Sequence, residues 1–118
     1  MEPTIHCRDL LLRLGDDEIL VLDCRPGDQW HSLDVRIPGA LWISTDELAH
    51  AAQSLPDDEL IVVYGTSRDA HARRAVRLLR LRGFDAVMLD GGLRAWISFG
   101  FPTERAASGR QLAIPSAL

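Results

Sequence analysis

The sequence is poor in the residues that build disulfide scaffolds and metal sites. It contains only two cysteines, Cys7 and Cys24, and it has no C-x-x-C pair. Two cysteines are too few for a disulfide framework, and in a reducing compartment they remain thiols. The four histidines share no ligand spacing with one another or with the cysteines. We therefore expect neither a metal site nor a cofactor.

Long hydrophobic runs and a leader-like beginning are also missing. The longest apolar stretches are too short to cross a bilayer, so no membrane partner is expected. The first ten residues, MEPTIHCRDL, lack the basic patch and apolar run of a secretory signal, which makes a cytoplasmic location the expectation. A net charge of -4 argues against nucleic acid as a partner, and no recognisable nucleic-acid-binding module is present.

What is present is a regular alternation of apolar runs and helical patterns. The length of 118 residues and the apolar fraction of 47% fit one domain with one core. Because parallel strands need crossover connections, and these are usually helical, the alternation predicts an α/β fold with a mostly parallel sheet. The predicted strands cover 18–23, 40–44, 59–65 and 85–91, and the predicted helices cover 7–15, 44–55 and 69–83.

Three loops follow predicted strands at the edge where ligands gather in open parallel sheets, namely 23–27, 65–71 and 90–92. Loop 65–71 is short and enters a helix, so its backbone N–H groups and the helix dipole favour a small anion such as sulfate or phosphate. The alternative is that Ser67 or Asp69 only caps the helix. The predicted anion-binding loop consists of Gly65, Thr66, Ser67, Arg68, Asp69, Ala70 and His71.

Two further groups of charged residues are candidates for a role. Asp23 and Arg25 lie at a strand end, close enough in sequence to order their loop through charge-assisted hydrogen bonds. A basic face on helix 69–83 is formed by Arg73, Arg77 and Arg80. This face is either a solvated surface or the docking site of an acidic protein partner, and the sequence leaves both interpretations open.

Longer segments carry a family resemblance. The segment GFDAVMLDGGLRAWISFGFP at 83–102 resembles the carboxyl-terminal signature of rhodanese-like domains. At 21–44, VLDCRPGDQWHSLDVRIPGALWIS resembles the family's Asp-x-Arg segment followed by Ile-Pro-Gly-Ala, and IVVYG at 61–65 falls where the active-site strand ends. The resemblance implies a three-layer α/β/α domain over 1–102 with a central, mostly parallel, five-stranded sheet. Residues 103–118 have the composition of a mobile tail.

Two residues depart from the family pattern. Arg36 stands where relatives usually show histidine, and Gly65 stands where active relatives carry the cysteine that accepts a sulfane sulfur. In the related phosphatases that cysteine attacks phosphate, and an arginine six residues later clamps it; here that position is His71. Glycine can neither accept a sulfane sulfur nor attack phosphate. The resemblance therefore implies an inactive domain that works as an anion-binding or protein-binding, regulatory module. The small anions expected in the loop then include thiosulfate, and no catalytic residue is expected.

Two enzymatic alternatives stay open. In the first, the chain is a thiosulfate-type sulfurtransferase that uses Cys24, because the family's Asp-x-Arg strand is implied to run beside the active-site strand. The other interpretation of Cys24 is a small buried hydrophobe at a strand end. In the second alternative, Gly65 replaces the cysteine of an active sulfurtransferase. No His-Asp pair is evident that would activate Thr66 or Ser67 instead.

Overall fold

Five parallel strands form the centre of the molecule in the computed structural model, which describes residues 2–27, 33–67, 70–105 and 110–111. The described strands are β1 (Thr4–Ile5), β2 (Ile19–Asp23), β3 (Val35–Arg36), β4 (Leu41–Trp42), β5 (Leu60–Tyr64), β6 (Ala86–Leu89), β7 (Glu104–Arg105) and β8 (Arg110–Gln111). The order of the five central strands across the sheet is β1-β6-β5-β2-β4, which differs from their order along the chain because helical crossovers connect parallel strands.

Helices cover both faces of the sheet, so the predicted α/β class with a five-stranded parallel sheet is confirmed. The described helices are α1 (Cys7–Arg13), α2 (Thr45–Ala51, continued by a 3₁₀ turn at Ala52–Ser54), α3 (Ala70–Leu81) and α4 (Gly92–Ser98). α2 and α3 pack on one face of the sheet, and α1 and α4 pack on the other. None of the described helices has the length and apolar composition needed to span a membrane.

The central strand β5 explains the two-faced core. It lies between β2 and β6, so both of its edges are paired, and helices cover both of its faces, which is why its sequence is apolar throughout. Ile61 and Val63 pack with the α2 and α3 side, whereas Val62 and Tyr64 pack with the α1 and α4 side. Tyr64 is the last residue of the strand, so it lies at the carboxyl edge of the sheet.

The chain beyond residue 102 forms two short pairings with the domain. β7 runs antiparallel to β3, with Arg36 opposite Glu104, and β8 extends the parallel sheet beside β4. Residues 106–109 and 112–118 of the predicted tail lie outside the described residues. The division into 1–102 and 103–118 stays a prediction.

Candidate functional site

The three loops predicted to gather at the carboxyl edge meet there. Asp23 is in register with Tyr64, and the Cys24 N–H donates to the Tyr64 carbonyl at 3.0 Å, so the chain leaves β2 and β5 side by side. The loop after β6 joins them, because the first amides of α4 bond the loop that follows β5. Residues 23–27, 65–67 and 90–92 therefore form one continuous edge of the molecule.

The carbonyl groups of the loop after β5 are turned towards α4. The Leu93 N–H donates to the Gly65 carbonyl at 2.9 Å, and the Arg94 N–H donates to the Thr66 carbonyl at 2.8 Å. In a trans peptide the N–H points opposite to the carbonyl, and the described peptide bonds are all trans. The N–H groups of Thr66 and Ser67 consequently point away from α4, towards the other side of the loop.

The rest of the predicted anion loop is described in part. α3 begins at Ala70, which is exposed, and His71 is half-buried, with its carbonyl accepting from Thr45 Oγ1 at 3.2 Å. Arg68 and Asp69 lie outside the described residues. The loop thus runs from a buried strand end into the N-terminus of the longest described helix, as an anion-binding loop requires.

Gly92 is the residue that allows α4 to approach this loop. Its φ is +63°, and a Cβ atom built on it would lie 2.7 Å from the Ser67 carbonyl oxygen and 2.8 Å from that of Gly65. A side chain at this position would push the loop away from α4. The sequence predicts a tight turn at Gly91 and Gly92, but the contact with the loop after β5 is not predicted.

Asp23 and Arg25 form a buried ion pair beneath the edge. The Arg25 Nη2 atom lies 2.7 Å from Asp23 Oδ2, and Arg25 Nε lies 3.0 Å from Oδ1. The same guanidinium donates to the carbonyl groups of Leu33 and Val35 at 2.8 Å each. Both side chains are fully buried, so Arg25 holds the segment that leads into β3.

Tyr64 completes this network and is a residue that the sequence does not single out. Its hydroxyl donates to Asp23 Oδ2 at 2.8 Å and accepts from the Ile37 N–H at 3.2 Å. Burial and the neighbouring Asp23 carboxylate raise the pKa of the phenol well above its usual value. In sequence, Tyr64 is one more member of an apolar run, and its partners are 27 and 41 residues away.

Cys24 directly follows Asp23, the register partner of Tyr64, but its side chain points into the core. Its side chain is 1% exposed and packs in the cluster that contains Leu22, Ile43 and Ala72. Cys7 is also 1% exposed, and its Sγ donates to the Asp90 carbonyl at 3.7 Å. Burial and the Asp90 carboxylate raise the pKa of the Cys7 thiol, which disfavours the nucleophilic thiolate.

Arg36 fastens the polypeptide after residue 102 to the domain. Its Nη2 atom lies 2.6 Å from Glu104 Oε1, which also accepts from the Gly39 N–H at 2.8 Å. Arg36 Nη1 donates to the Ala40 carbonyl, while the buried Nε has no partner among the described residues. The arginine at the family's histidine position thus has a structural contact of its own.

The predicted basic face of α3 is partly used within the chain. Arg77 forms an ion pair with Glu2, and Arg80 Nη1 donates to the Ala86 carbonyl at 3.1 Å. Arg73 is exposed. Over the part of the chain that the structure describes, no group of three or more His, Cys, Asp or Glu side chains is placed to hold a metal ion.

Comparison with known proteins yields one family. The family described as "Rhodanese-like domain" matches residues 7–99. A rhodanese-related protein from Thermoplasma volcanium has the same fold, with a TM-score of 0.75 and 24% identity over 86% of this chain and 97% of that chain. A thiosulfate sulfurtransferase from Pseudomonas aeruginosa gives a TM-score of 0.77 and 30% identity, over 93% of this chain and 21% of that chain.

A curated relative has a different role. The HTH-type transcriptional regulator Rv0324 of Mycobacterium tuberculosis is 34% identical over 109 residues, which are 90% of this chain and 46% of that protein. The chain therefore spans less than half the length of this relative. The domain is thus related both to a sulfurtransferase and to a regulator. The matched residues and the shared fold lead to one conclusion: the chain belongs to the rhodanese-like domain family.

Proposed function

We propose that this domain does not transfer sulfur and instead binds a small oxyanion on loop 65–71 as a regulatory module. The observation that carries the proposal is Gly65, the residue directly after β5, where the family resemblance implies a nucleophilic cysteine. Sulfur transfer needs a thiolate that attacks the outer sulfur of thiosulfate, releases sulfite and holds a persulfide. A glycine has no atom that can form that bond.

The geometry around Gly65 supports retention of the anion site. The carbonyl groups of Gly65 and Thr66 accept from α4, so the N–H groups of Thr66 and Ser67 point to the opposite side. α3, which follows the loop, is 12 residues long and adds the positive end of its dipole. Thiosulfate, sulfate and phosphate share the tetrahedral oxyanion shape that backbone N–H groups at a helix N-terminus bind.

The regulatory part of the proposal rests on the relative whose name describes a transcriptional regulator. That protein is about twice as long as the segment it shares with this chain, so a domain of this kind accompanies a further segment there. A domain that binds an anion without converting it responds to the presence of that anion and forms no product from it, as a regulatory domain does. Regulation by anion occupancy is the function that fits both the loop and this relative.

Sulfur transfer from thiosulfate to cyanide tests the first half of the proposal. We expect no turnover by the unmodified chain and no change on Cys24→Ala, because Cys24 is buried in the core. Gly65→Cys is expected to form a persulfide on addition of thiosulfate, detected as a mass increase of one sulfur atom. Turnover by the unmodified chain that disappears in Cys24→Ala would overturn the proposal in favour of a sulfurtransferase.

Anion binding is measured separately, from amide chemical shifts during titration with thiosulfate, sulfate and phosphate. We expect saturable shifts confined to the amides of 65–71. The variant that tests the site is Ser67→Pro, which removes one of the donating N–H groups and is expected to weaken anion binding without changing the charge of the loop. Shifts spread evenly over the exposed amides, or no shifts, would contradict an anion site here.

A further inference from the structure

The outer surface of α3 concentrates positive charge on a chain of net charge -4. Five of the 13 basic residues lie between 73 and 82, and all five are arginines. No acidic residue interrupts the sequence from 70 to 82. Arginine presents a planar fork of donors that matches a carboxylate or a phosphate, so this surface suits an anionic partner.

Two grooves flank this helix and share two of its residues. The first, of about 420 Å³, is lined by Glu2, Pro3, Arg77, Arg80 and Leu81. The second, of about 430 Å³, lies between α2 and α3 and is lined by Thr45, Asp46, Ala49, Arg74, Arg77, Leu78 and Leu81. We call these together the α3 groove. Arg77 and Leu81 form the ridge between its two halves.

The ridge pairs a cation with an exposed apolar side chain. Leu81 is 85% exposed, the highest exposure among the described large hydrophobic residues. Arg74, Arg77 and Leu81 follow one another at spacings of three and four residues, so they lie on one stripe of the helix. A ligand that covers this stripe needs carboxylates for the arginines and an apolar group for Leu81.

The chain itself shows that the groove accepts a carboxylate. Glu2 forms an ion pair with Arg77, and its side chain is only 9% exposed. The Arg77 side chain remains 64% exposed, and a guanidinium has five N–H donors, so one carboxylate does not exhaust it. Glu2 thus occupies part of the surface that an incoming acidic ligand would use.

We propose that the α3 groove is the docking site for an acidic peptide segment of a partner protein, with a large apolar side chain that packs on Leu81. Nucleic acid fits the groove less well, because the exposed apolar side chain of Leu81, which lines both halves, would face a charged phosphate backbone. Among the residues that the structure describes, no aromatic side chain lines either half to stack a base. The residues that line the groove do not include any member of loop 65–71, so the proposal goes beyond the proposed function and stands without it.

Fluorescence anisotropy with labelled model peptides tests the proposal on the full chain. The probe is a short peptide of Glu-Glu-Leu repeats, and the comparison peptides are Gln-Gln-Leu and Glu-Glu-Ser repeats. Arg74→Glu and Leu81→Ser are each expected to raise the Kd of the probe about fivefold to tenfold. Glu2→Gln is expected to lower it about twofold to fivefold, because Arg77 loses its internal partner.

Matched control variants lie on α1, which packs on the other face of the sheet. Arg8 is exposed and Leu12 is 79% exposed, so Arg8→Glu and Leu12→Ser repeat the same changes away from the groove. These variants are expected to bind the probe as the unmodified chain does. An equal loss in the α1 variants, tighter binding of a double-stranded DNA oligonucleotide than of the probe, or no binding of the probe up to about 1 mM would overturn the proposal.

Discussion

Buried polar side chains order the carboxyl edge at the scale of single residues. Asp23 receives hydrogen bonds from Arg25 and from Tyr64, and the hydroxyl of Tyr64 accepts the Ile37 N–H. All three side chains of this group are fully buried. A buried carboxylate is tolerated only when such partners replace water, so each member of the network depends on the others. Tyr64 connects the ion pair to the segment around Ile37.

The titration of Tyr64 reports on this network directly, because Tyr64 is the only tyrosine in the chain. Burial and the Asp23 carboxylate raise its pKa in the folded state, so the unfolded chain releases the phenolic proton first. The stability that the neutral phenol contributes is therefore fully present below pH about 10 and is lost as the pH rises through the folded pKa. We expect phenolate absorbance to appear well above pH 10 in the native protein.

The controls for this titration use the same absorbance. In urea the unfolded chain is expected to titrate near pH about 10, the ordinary value for tyrosine. Tyr64→Phe is expected to remove the signal and to lower the free energy of unfolding by about 1–3 kcal/mol, because buried partners at Asp23 and Ile37 lose a hydrogen bond. An ordinary titration midpoint in the folded protein would show that Tyr64 is not buried against Asp23.

At the scale of elements, the contact between α4 and the loop after β5 decides the shape of the candidate site. Gly92→Ala tests it, because the new Cβ would lie within 3 Å of the Ser67 and Gly65 carbonyl oxygens. We expect a loss of at least about 3 kcal/mol in the free energy of unfolding, since overlap with backbone adds to the strain of a positive φ. Urea denaturation measures the loss.

Gly100 supplies the matched control for this substitution. Its φ is +74°, close to that of Gly92, but a Cβ there would meet nothing within 4 Å. Gly100→Ala is expected to cost only the conformational strain, about 1–2 kcal/mol. If the two variants lost the same stability, the packing of Gly92 against the loop would play no part.

The same elements show what the sequence predicts and what it cannot. The apolar runs and the helical periodicity predict β2, β5, β6, α1 and α3 to within a few residues, because buried strands and amphipathic helices leave long local patterns. β3 and β7 contain two residues each, too few for any pattern, and their pairing joins positions about 70 residues apart. The contacts of Gly92 and Tyr64 are missed for the same reason, since only the folded chain brings their partners together.

At the scale of the whole molecule, the chain after Pro102 returns to the domain through the β7 and β8 pairings. The Trp96 Nε1–H donates to the Pro102 carbonyl at 2.7 Å and fixes the direction in which the chain leaves α4. Glu104 then meets Arg36 and the Gly39 N–H. Because Arg36 is 7% exposed, its charge is largely removed from water and depends on this partner.

A chain that ends at Thr103 therefore tests where the folded unit stops. It keeps the Pro102 amide that Trp96 bonds, but it loses the Glu104 carboxylate together with β7 and β8. We expect this shortened chain to fold with a free energy of unfolding lower by about 2–4 kcal/mol, because a buried guanidinium loses its partner.

Glu104→Gln removes only the charge and is expected to account for about half of the loss in the free energy of unfolding. The control Glu18→Gln, at an exposed position, is expected to change stability by less than about 0.5 kcal/mol. Equal stability of the shortened and full chains would place the end of the folded unit at residue 102, as the composition of 103–118 predicts. The expected loss would instead make Arg36 the residue that extends the unit, since the histidine usual at this family position cannot span the same contacts with Glu104 and Ala40.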